Sequence, residues 1–468
     1  MINYCDYIGG KVHLIGIGGS SMSGIALLLQ EKGCTVSGSD KSDGKSIAAL
    51  LAAGVDVTIG HCADNVKDKD LVIYSMAIDL DNIELTTCRS LGIPVMERSF
   101  LLGQIACEYK QRVCVCGTHG KTTSTSMIAR ILIEDGHDPT VHIGGVLKAM
   151  GGSVRVGGEH IFLTEACEYR RSFMNLEPSC AVILNIDRDH LDYYSDIDDI
   201  ESSFSGFLQK VPADGWVIGN GEDPRVARVL STLKCRHLTF GQDNRYDYHM
   251  SEFSEDKKGY ARFRVFCREM QLGEVTMAVP GLFNAMNALA ALACAHMLGA
   301  NMENACRIIG SFTGAVRRFE KTGMYNGAEL FHDYGHNPVE MRNAISIARK
   351  RCDSGMLYAV MQPHTYSRVK SLFDDYLTCT SEADVTVVTD IFGARETDPG
   401  DISSQMIVDG MRKNGVNAYL MPTLEDAKRF IQDNIHENDM VITLGCGNIN
   451  MLNDMIQGSK GPNYALAQ

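Results

Sequence analysis

Residues 111–136 read QRVCVCGTHGKTTSTSMIARILIEDG, and the fold assignment turns on them. QRVCVCG has the pattern of a strand, with Cys114 and Cys116 alternating with Val113 and Val115. The chain then turns through Gly117-Thr118-His119-Gly120 and continues from Lys121 and Thr122 as an amphipathic helix. A glycine-rich turn between a strand and a helix lets backbone N–H groups converge on phosphate oxygens at the positive helix end. A lysine at its close can reach the outer phosphates, and the next hydroxyl can ligate Mg²⁺. The common form of this loop wants glycine where Val115 stands, so this is a shortened variant. Its setting predicts a unit that binds a nucleoside triphosphate.

Upstream, KVHLIGIGGSSMSGIALLLQEKG (11–33) reads as strand, Gly-rich turn and helix, and TVSGSD follows, ending at Asp40. Short apolar runs at VDVTIG, LVIYSMAI and IPVMERS alternate with helical stretches, which points to an open parallel sheet closing near residue 108. Downstream, HIFLTEA and SCAVILNI continue the second unit. RHLTFG, YARFRVFC and GEVTMAV, within 235–279, look antiparallel. A long helix, LFNAMNALAALACAHML, follows Pro280 and Gly281, and the composition shifts again at about 310–318. AELFHDY, GMLYAVMQP, ADVTVVTD and DMVITLG then predict a second open α/β sheet, and the tail GSKGPNYALAQ reads as loose. The expected fold is α/β in three units. Residues 1–108 form a Rossmann-like domain, 109–313 a central P-loop ATPase-type domain with a small antiparallel sheet, and 314–468 a second Rossmann-like domain.

Bulk properties agree. A chain of 468 residues suits about three domains, and 45% apolar with 22% charged residues supplies packed cores. A net charge of −14 gives no electrostatic footprint for nucleic acid or anionic membranes, so a bound nucleotide must be held by local devices. Sixteen scattered cysteines without a Cys-x-x-Cys pair read as buried free thiols in a reducing cytosol. No signal peptide pattern precedes the first strand, and no stretch approaches the ~18 apolar residues of a span. The expectation is a cytoplasmic protein without membrane insertion.

Strand ends of the second unit carry further chemistry. Glu165 closes HIFLTEA, and His190 follows AVILNI. The carboxyl ends of parallel strands form the ligand crevice, and Mg²⁺ takes few protein ligands, so Thr122, Glu165 and His190 are candidates for it.

Several stretches together resemble the Mur ligase family: GTHGKTT (117–123), NIDRDHLD (185–192), PGLFNAMNALAA (280–291), RRFE (317–320) and DYGHNP (333–338). HLIGIGGSSMSGIA (13–26) and QPHTYSR (362–368) resemble the branch that adds the first amino acid to its UDP-sugar. The likeness spans essentially the whole chain. It implies ATP-dependent ligation of L-alanine to the lactyl carboxylate of UDP-N-acetylmuramate through an acyl phosphate, with Mg²⁺, in peptidoglycan precursor synthesis. The three domains would bind UDP-sugar, ATP and amino acid in turn.

The resemblance also implies roles. Gly117, Thr118, His119, Gly120, Lys121, Thr122 and Thr123 would cradle ATP, with Lys121 on its phosphates. Thr122, Glu165 and His190 would hold Mg²⁺. Asn284 and Asn287 would face adenine, Arg318 would reach the γ-phosphate, and Asp333 would lie near the nucleotide. Gly16, Gly18, Gly19 and Ser21 would lie against the UDP diphosphate. Tyr334, His336, His364 and Arg368 would form the alanine pocket, with His336 or His364 as the base that frees the amine. The protein would be a monomer or weak homodimer.

Three departures from the family pattern stand out. Relatives commonly read E-A-D-E-S-D-A-S-F, where this chain has Cys167 and Arg170 at two acidic positions. Thr365 follows His364 where arginine is common, leaving Arg368 as the partner for the amino-acid carboxylate. No lysine stands between His190 and Lys210, where later ligases of the pathway carry a carbamylated one, and Ser205 is near the expected place. Other readings are a peptide-adding ligase on the same UDP-sugar, another Mur-type or folate-type ligase, and a nucleotide-sensing module. A nicotinamide-dependent dehydrogenase is suggested by Gly16, Gly18 and Asp40, but Ser21 replaces the third glycine.

Overall fold

In the computed structural model, residues 2–314, 316–394 and 396–458 are described, and their strands gather into three sheets. The expected loose tail lies outside the described residues, Gly458 excepted.

The first sheet takes β1 (Lys11–Ile15), β2 (Thr35–Asp40), β3 (Asp56–Ile59), β4 (Leu71–Tyr74) and β5 (Val95–Glu97) in the order β3-β2-β1-β4-β5, all parallel. The chain steps outward from β1 on one side, then returns to pair β4 on the other. A crevice therefore opens at the carboxyl end of β1, where residues 16–19 lead into the helix Ser20–Glu31.

The second sheet has ten strands: β6 (Gln111–Cys116), β7 (Thr140–Leu147), β8 (Gly152–Arg155), β9 (Ile161–Glu165), β10 (Cys180–Ile183), β11 (Trp216–Asn220), β12 (Arg236–Gly241), β13 (Tyr248–Glu255), β14 (Tyr260–Cys267) and β15 (Met270–Pro280). Their order is β15-β14-β13-β12-β11-β10-β6-β9-β7-β8. Two of the three runs expected to be antiparallel, YARFRVFC and GEVTMAV, are so as β14 and β15, with β13, which the sequence reading did not name, as their third member, and they extend the parallel sheet rather than standing apart from it. RHLTFG is a correction: as β12 it pairs parallel with both β11 and β13. β6 sits between β10 and β9, so its loop emerges at the centre of the carboxyl edge, flanked by the ends that carry Asn185 and Glu165.

The third sheet runs β16 (Glu320–Tyr325), β17 (Ala328–Asp333), β21 (Met440–Leu444), β18 (Leu357–Met361), β19 (Val385–Val388) and β20 (Ala418–Leu420), antiparallel only at β16–β17. β18, β19 and β21 are buried along their whole length, as strands covered by helices on both faces must be.

The units are joined in different ways. One apolar core runs from Leu14 and Ile25 of the first unit through Cys114, Phe162 and Phe204 of the second. A Cβ at Gly24 would stand 1.9 Å from Val154 Cγ2, so only glycine lets the helix Ser20–Glu31 approach β8 this closely. The two cores of the third unit draw only on its own residues. Polar contacts dominate its seam with the second unit, a construction that leaves relative motion possible. The sixteen cysteines are free and mostly buried, as expected.

Candidate active site

The phosphate loop is built as its sequence predicts. Gly117 and Gly120 adopt φ of 137° and 86°, and Gly120 caps the helix Lys121–Glu134 with no side-chain bond over the helix head. Asn185 braces the loop from β10: its Oδ1 accepts from His119 N at 2.8 Å and its Nδ2 donates to His119 O at 3.0 Å. Thr118 Oγ1 accepts from Asp187 N at 2.9 Å. The Lys121 ammonium donates to the carbonyls of Gly117 and Thr118 and to both oxygens of Glu168, at 2.9 and 2.8 Å. Burial opposes its charge, but Glu168, with Cys167 and Glu165 nearby, outweighs burial and raises its pKa. Thr123 is buried in the first turn of the helix.

Two of the three candidate metal ligands meet. Thr122 Oγ1 lies 3.1 Å from Glu165 Oε2, while Glu165 Oε1 accepts from Gly144 N at 2.8 Å. Burial pushes the Glu165 carboxyl above its ordinary value, resisted by that amide and by Lys121. A hydroxyl and a carboxylate oxygen beside a phosphate loop suit Mg²⁺, which leaves its other positions to water and phosphate. His190 lies 3.8 Å from Glu168 and packs on the Tyr169 ring. Among the described residues, no three His, Cys, Asp or Glu side chains converge on one point as a metal cage.

Asn287 is buried against the loop: a Cβ on Gly120 would stand 2.6 Å from its Oδ1, and its Nδ2 has no partner among the described residues. Asn284 sits one turn earlier and donates to Pro280 O at 2.7 Å.

From the third unit, Arg318 lies 4.0 Å from Glu340 and over the Tyr334 ring at 5.1 Å, with Arg317 also over that ring at 4.8 Å. Asp333 serves these turns as a scaffold, accepting from Phe319 N and Gly335 N at 2.8 and 2.7 Å. The His336 and His364 rings stand 5.8 Å apart. His336 Nδ1 contacts Tyr334 O at 3.2 Å; a carbonyl only accepts, so Nδ1 carries the proton and Nε2 is left as an acceptor. Arg368 is already paired, its Nε 3.1 Å from Asp189 Oδ1 and its Nη1 3.1 Å from His364 Nδ1.

At the first unit, backbone amides of the Gly-rich turn are partly committed. Gly16 N donates to Ser39 O, and Gly18 N to Asp40 Oδ2 at 2.9 Å. Gly19 caps the helix Ser20–Glu31, whose head has no side-chain cap and can receive a diphosphate. Ser21, in place of the third glycine, hydrogen-bonds His142 Nε2 at 2.7 Å and Arg98 Nη1 at 2.8 Å.

Sequence reasoning missed several members of this site. Glu168 lay in the E-A-D-E pattern beside Glu165, and Asn185, Asp187 and Asp189 lay within NIDRDHLD. His142, Arg98 and Glu340 carried no local signal.

Comparison with known proteins gives three successive matches. Residues 11–110 match the Mur ligase family catalytic domain, 115–295 the Mur ligase middle domain, and 317–447 the Mur ligase glutamate ligase domain. The chain is 40% identical over 450 residues to UDP-N-acetylmuramate–L-alanine ligase of Acetivibrio thermocellus, covering 96% of both chains. It is 42% identical over 439 residues to the ligase of the same name from Caldanaerobacter subterraneus subsp. tengcongensis, covering 94% of this chain and 95% of the other. The crystal structure of the UDP-N-acetylmuramate–alanine ligase of Thermotoga maritima superposes with a TM-score of 0.81 at 26% identity, covering 96% of this chain and 98% of that one.

Proposed function

This chain belongs to the Mur ligase family, and we propose that it joins L-alanine to the lactyl carboxylate of UDP-N-acetylmuramate as ATP becomes ADP and phosphate. The observation that carries the mechanism is the placement of the phosphate loop, with Thr122 and Glu165 at its side, opposite Arg318, Tyr334 and His336 of another unit. We divide the chain at 1–108, 109–313 and 314–468 for UDP-sugar, ATP and amino acid.

A carboxylate resists attack by an amine because an oxide is a poor leaving group. Phosphorylation by ATP turns that oxygen into phosphate, which leaves readily. Transfer of the phosphoryl group needs alignment and charge neutralisation rather than a covalent nucleophile. The loop amides and Lys121 hold the triphosphate, and Asn284 and Asn287 lie on its adenosine side. Arg318 approaches the γ-phosphoryl group from the third unit. Mg²⁺, held by Thr122, Glu165 and His190, would neutralise charge on the phosphates. The helix head after Gly16, Gly18, Gly19 and Ser21 receives the UDP diphosphate. Arg368 offers its guanidinium to the alanine carboxylate beside Tyr334, and His336 Nε2, with His364 next to it, accepts the amine proton. The amine then attacks the acyl phosphate, the tetrahedral intermediate expels phosphate, and the amide remains.

The complete set of groups comes from a single chain, which a monomer or weak homodimer satisfies. No described helix is long and apolar enough to cross a membrane. Free thiols throughout suit a reducing compartment such as the cytoplasm.

The test is phosphate release by the purified chain with ATP, Mg²⁺ and UDP-N-acetylmuramate. L-Alanine is expected to drive it, with glycine at least ~10-fold poorer in kcat/KM for want of one methyl group. Release driven by a short peptide and not by alanine would assign the chain to peptide ligation instead.

Acidity provides a second expectation. Burial, then the Arg368 guanidinium, pushes His336 down to about 4, and burial pushes His142 and His332 to about 3. His336 is therefore a neutral acceptor well below the ordinary histidine value of about 6.5. The kcat/KM for alanine, corrected for ionisation of its amine, is expected to show no inflection near pH 6.5 and to fall only towards about pH 4. For His336, His142 and His332 the stability moves with the same sign: below about pH 6.5 they take protons in the unfolded chain that the folded one refuses. Together they outweigh His119, whose raised value acts the other way, so melting temperature falls as pH drops from 7 to 5. An inflection at the ordinary histidine value would assign proton removal to another group.

A further inference from the structure

Glu340 occupies the first turn of the helix Pro338–Arg351, where a glutamate ordinarily serves its own helix head in water. Here its side chain is only 16% exposed and reaches outside its unit. Oε1 lies 3.2 Å from His119 Nδ1 in the phosphate loop and 4.0 Å from Arg318 Nη1. Oε2 accepts from His336 N at 3.2 Å and stands 3.6 Å from that ring. One carboxylate thus touches the loop for the triphosphate, the guanidinium facing its terminal phosphate, and the imidazole beside the amino-acid pocket.

Resting on the ligase reading above, we propose that Glu340 is a positioning residue: by clamping His119 it sets Arg318 and His336 over the reacting phosphoryl group.

Three observations converge on this role. The third unit shares no apolar core with the second, so polar contacts across the seam fix how the two sit together. All the groups around the carboxylate are donors, so a carboxylate satisfies them where an amide would turn an NH₂ towards one of them. His119 is held as a cation from both sides. Asp187 lies 3.4 Å from Nε2, Asp189 adds its charge from the same segment, and Glu340 closes the other side. Burial opposes that charge, yet these carboxylates raise the imidazole to about 10. The link between loop and third unit therefore persists throughout the neutral range.

The test is a double-mutant cycle of Glu340→Gln, His119→Gln and the pair, with kcat and each KM measured well below every variant's melting temperature. Each single variant is expected to lower kcat ~30-fold, with KM for the UDP-sugar changed less than ~3-fold. The pair should be no slower than the worse single, because each removes the same clamp. Losses that multiply in the pair, or a Glu340→Gln enzyme with normal kcat, would overturn the proposal. So would a rate loss that vanishes at temperatures where all variants are folded. If wild-type chain releases no phosphate with alanine and the UDP-sugar, the ligase reading has failed, and the clamp is then refuted as a ligation device.

Discussion

Lys121→Gln is expected to lower kcat for phosphate release about 10³-fold at saturating substrates, the upper range for removing one preorganised electrostatic donor. The ammonium stands at the head of the phosphate-loop helix and is aimed by four oxygens within hydrogen-bond reach, two of them of Glu168. A neutral amide at this position cannot neutralise charge on the transferring group. The same change leaves Glu168, 2% exposed, without its cation, and uncompensated buried charge costs about 3 kcal/mol or more. Melting temperature should therefore fall with the rate. Lys121→Gln combined with Glu168→Gln separates the two effects: it is expected to recover stability but not turnover. Recovery of turnover as well would show that Lys121 acts only as a structural counter-ion.

Arg318→Ala is expected to lower kcat about 10²-fold while KM for ATP moves little, because its partner charge develops during phosphoryl transfer. The guanidinium is presented by the Tyr334 ring beneath it and by Glu340 at its edge, and Asp333 fixes the turns on either side. Arg318→Lys retains the charge but not the planar fork and should fall between wild type and alanine. A raised KM with normal kcat would mean that Arg318 binds ATP in the ground state and contributes nothing specific to the transition state.

What could be read along the chain was what short range encodes. Strand, glycine turn and helix at 111–136 follow from the alternation of apolar residues and from Gly117 and Gly120, whose positive φ suits glycine whatever surrounds it. Apolar runs such as LYAVM and MVITL announced buried parallel strands for the same reason. Short or polar edge strands left weaker marks: β8 and β16 carry charge and glycine, β20 has three residues, and β7 is interrupted by Gly144-Gly145. The pairing of β12 was misread because strand direction depends on partners far along the chain, which periodicity does not report.

The site divides the same way. Lys121, Thr122, Glu165 and His190 could be named as candidates because loop chemistry and strand ends are local features, and of the three proposed for the metal the structure brings Thr122 and Glu165 together while His190 stands beside Glu168. That Glu168 holds Lys121, that Asp189 takes Arg368, and that Glu340 reaches His119 depend on residues from 47 to 221 positions apart. Sequence alone determined the three α/β units, the phosphate loop and the kind of groups available to it, because backbone preference and apolar periodicity act over a few residues. Only the tertiary structure decided which carboxylate faces which cation, because electrostatic pairing is set by distance in space, and folding brings together groups that the chain keeps far apart.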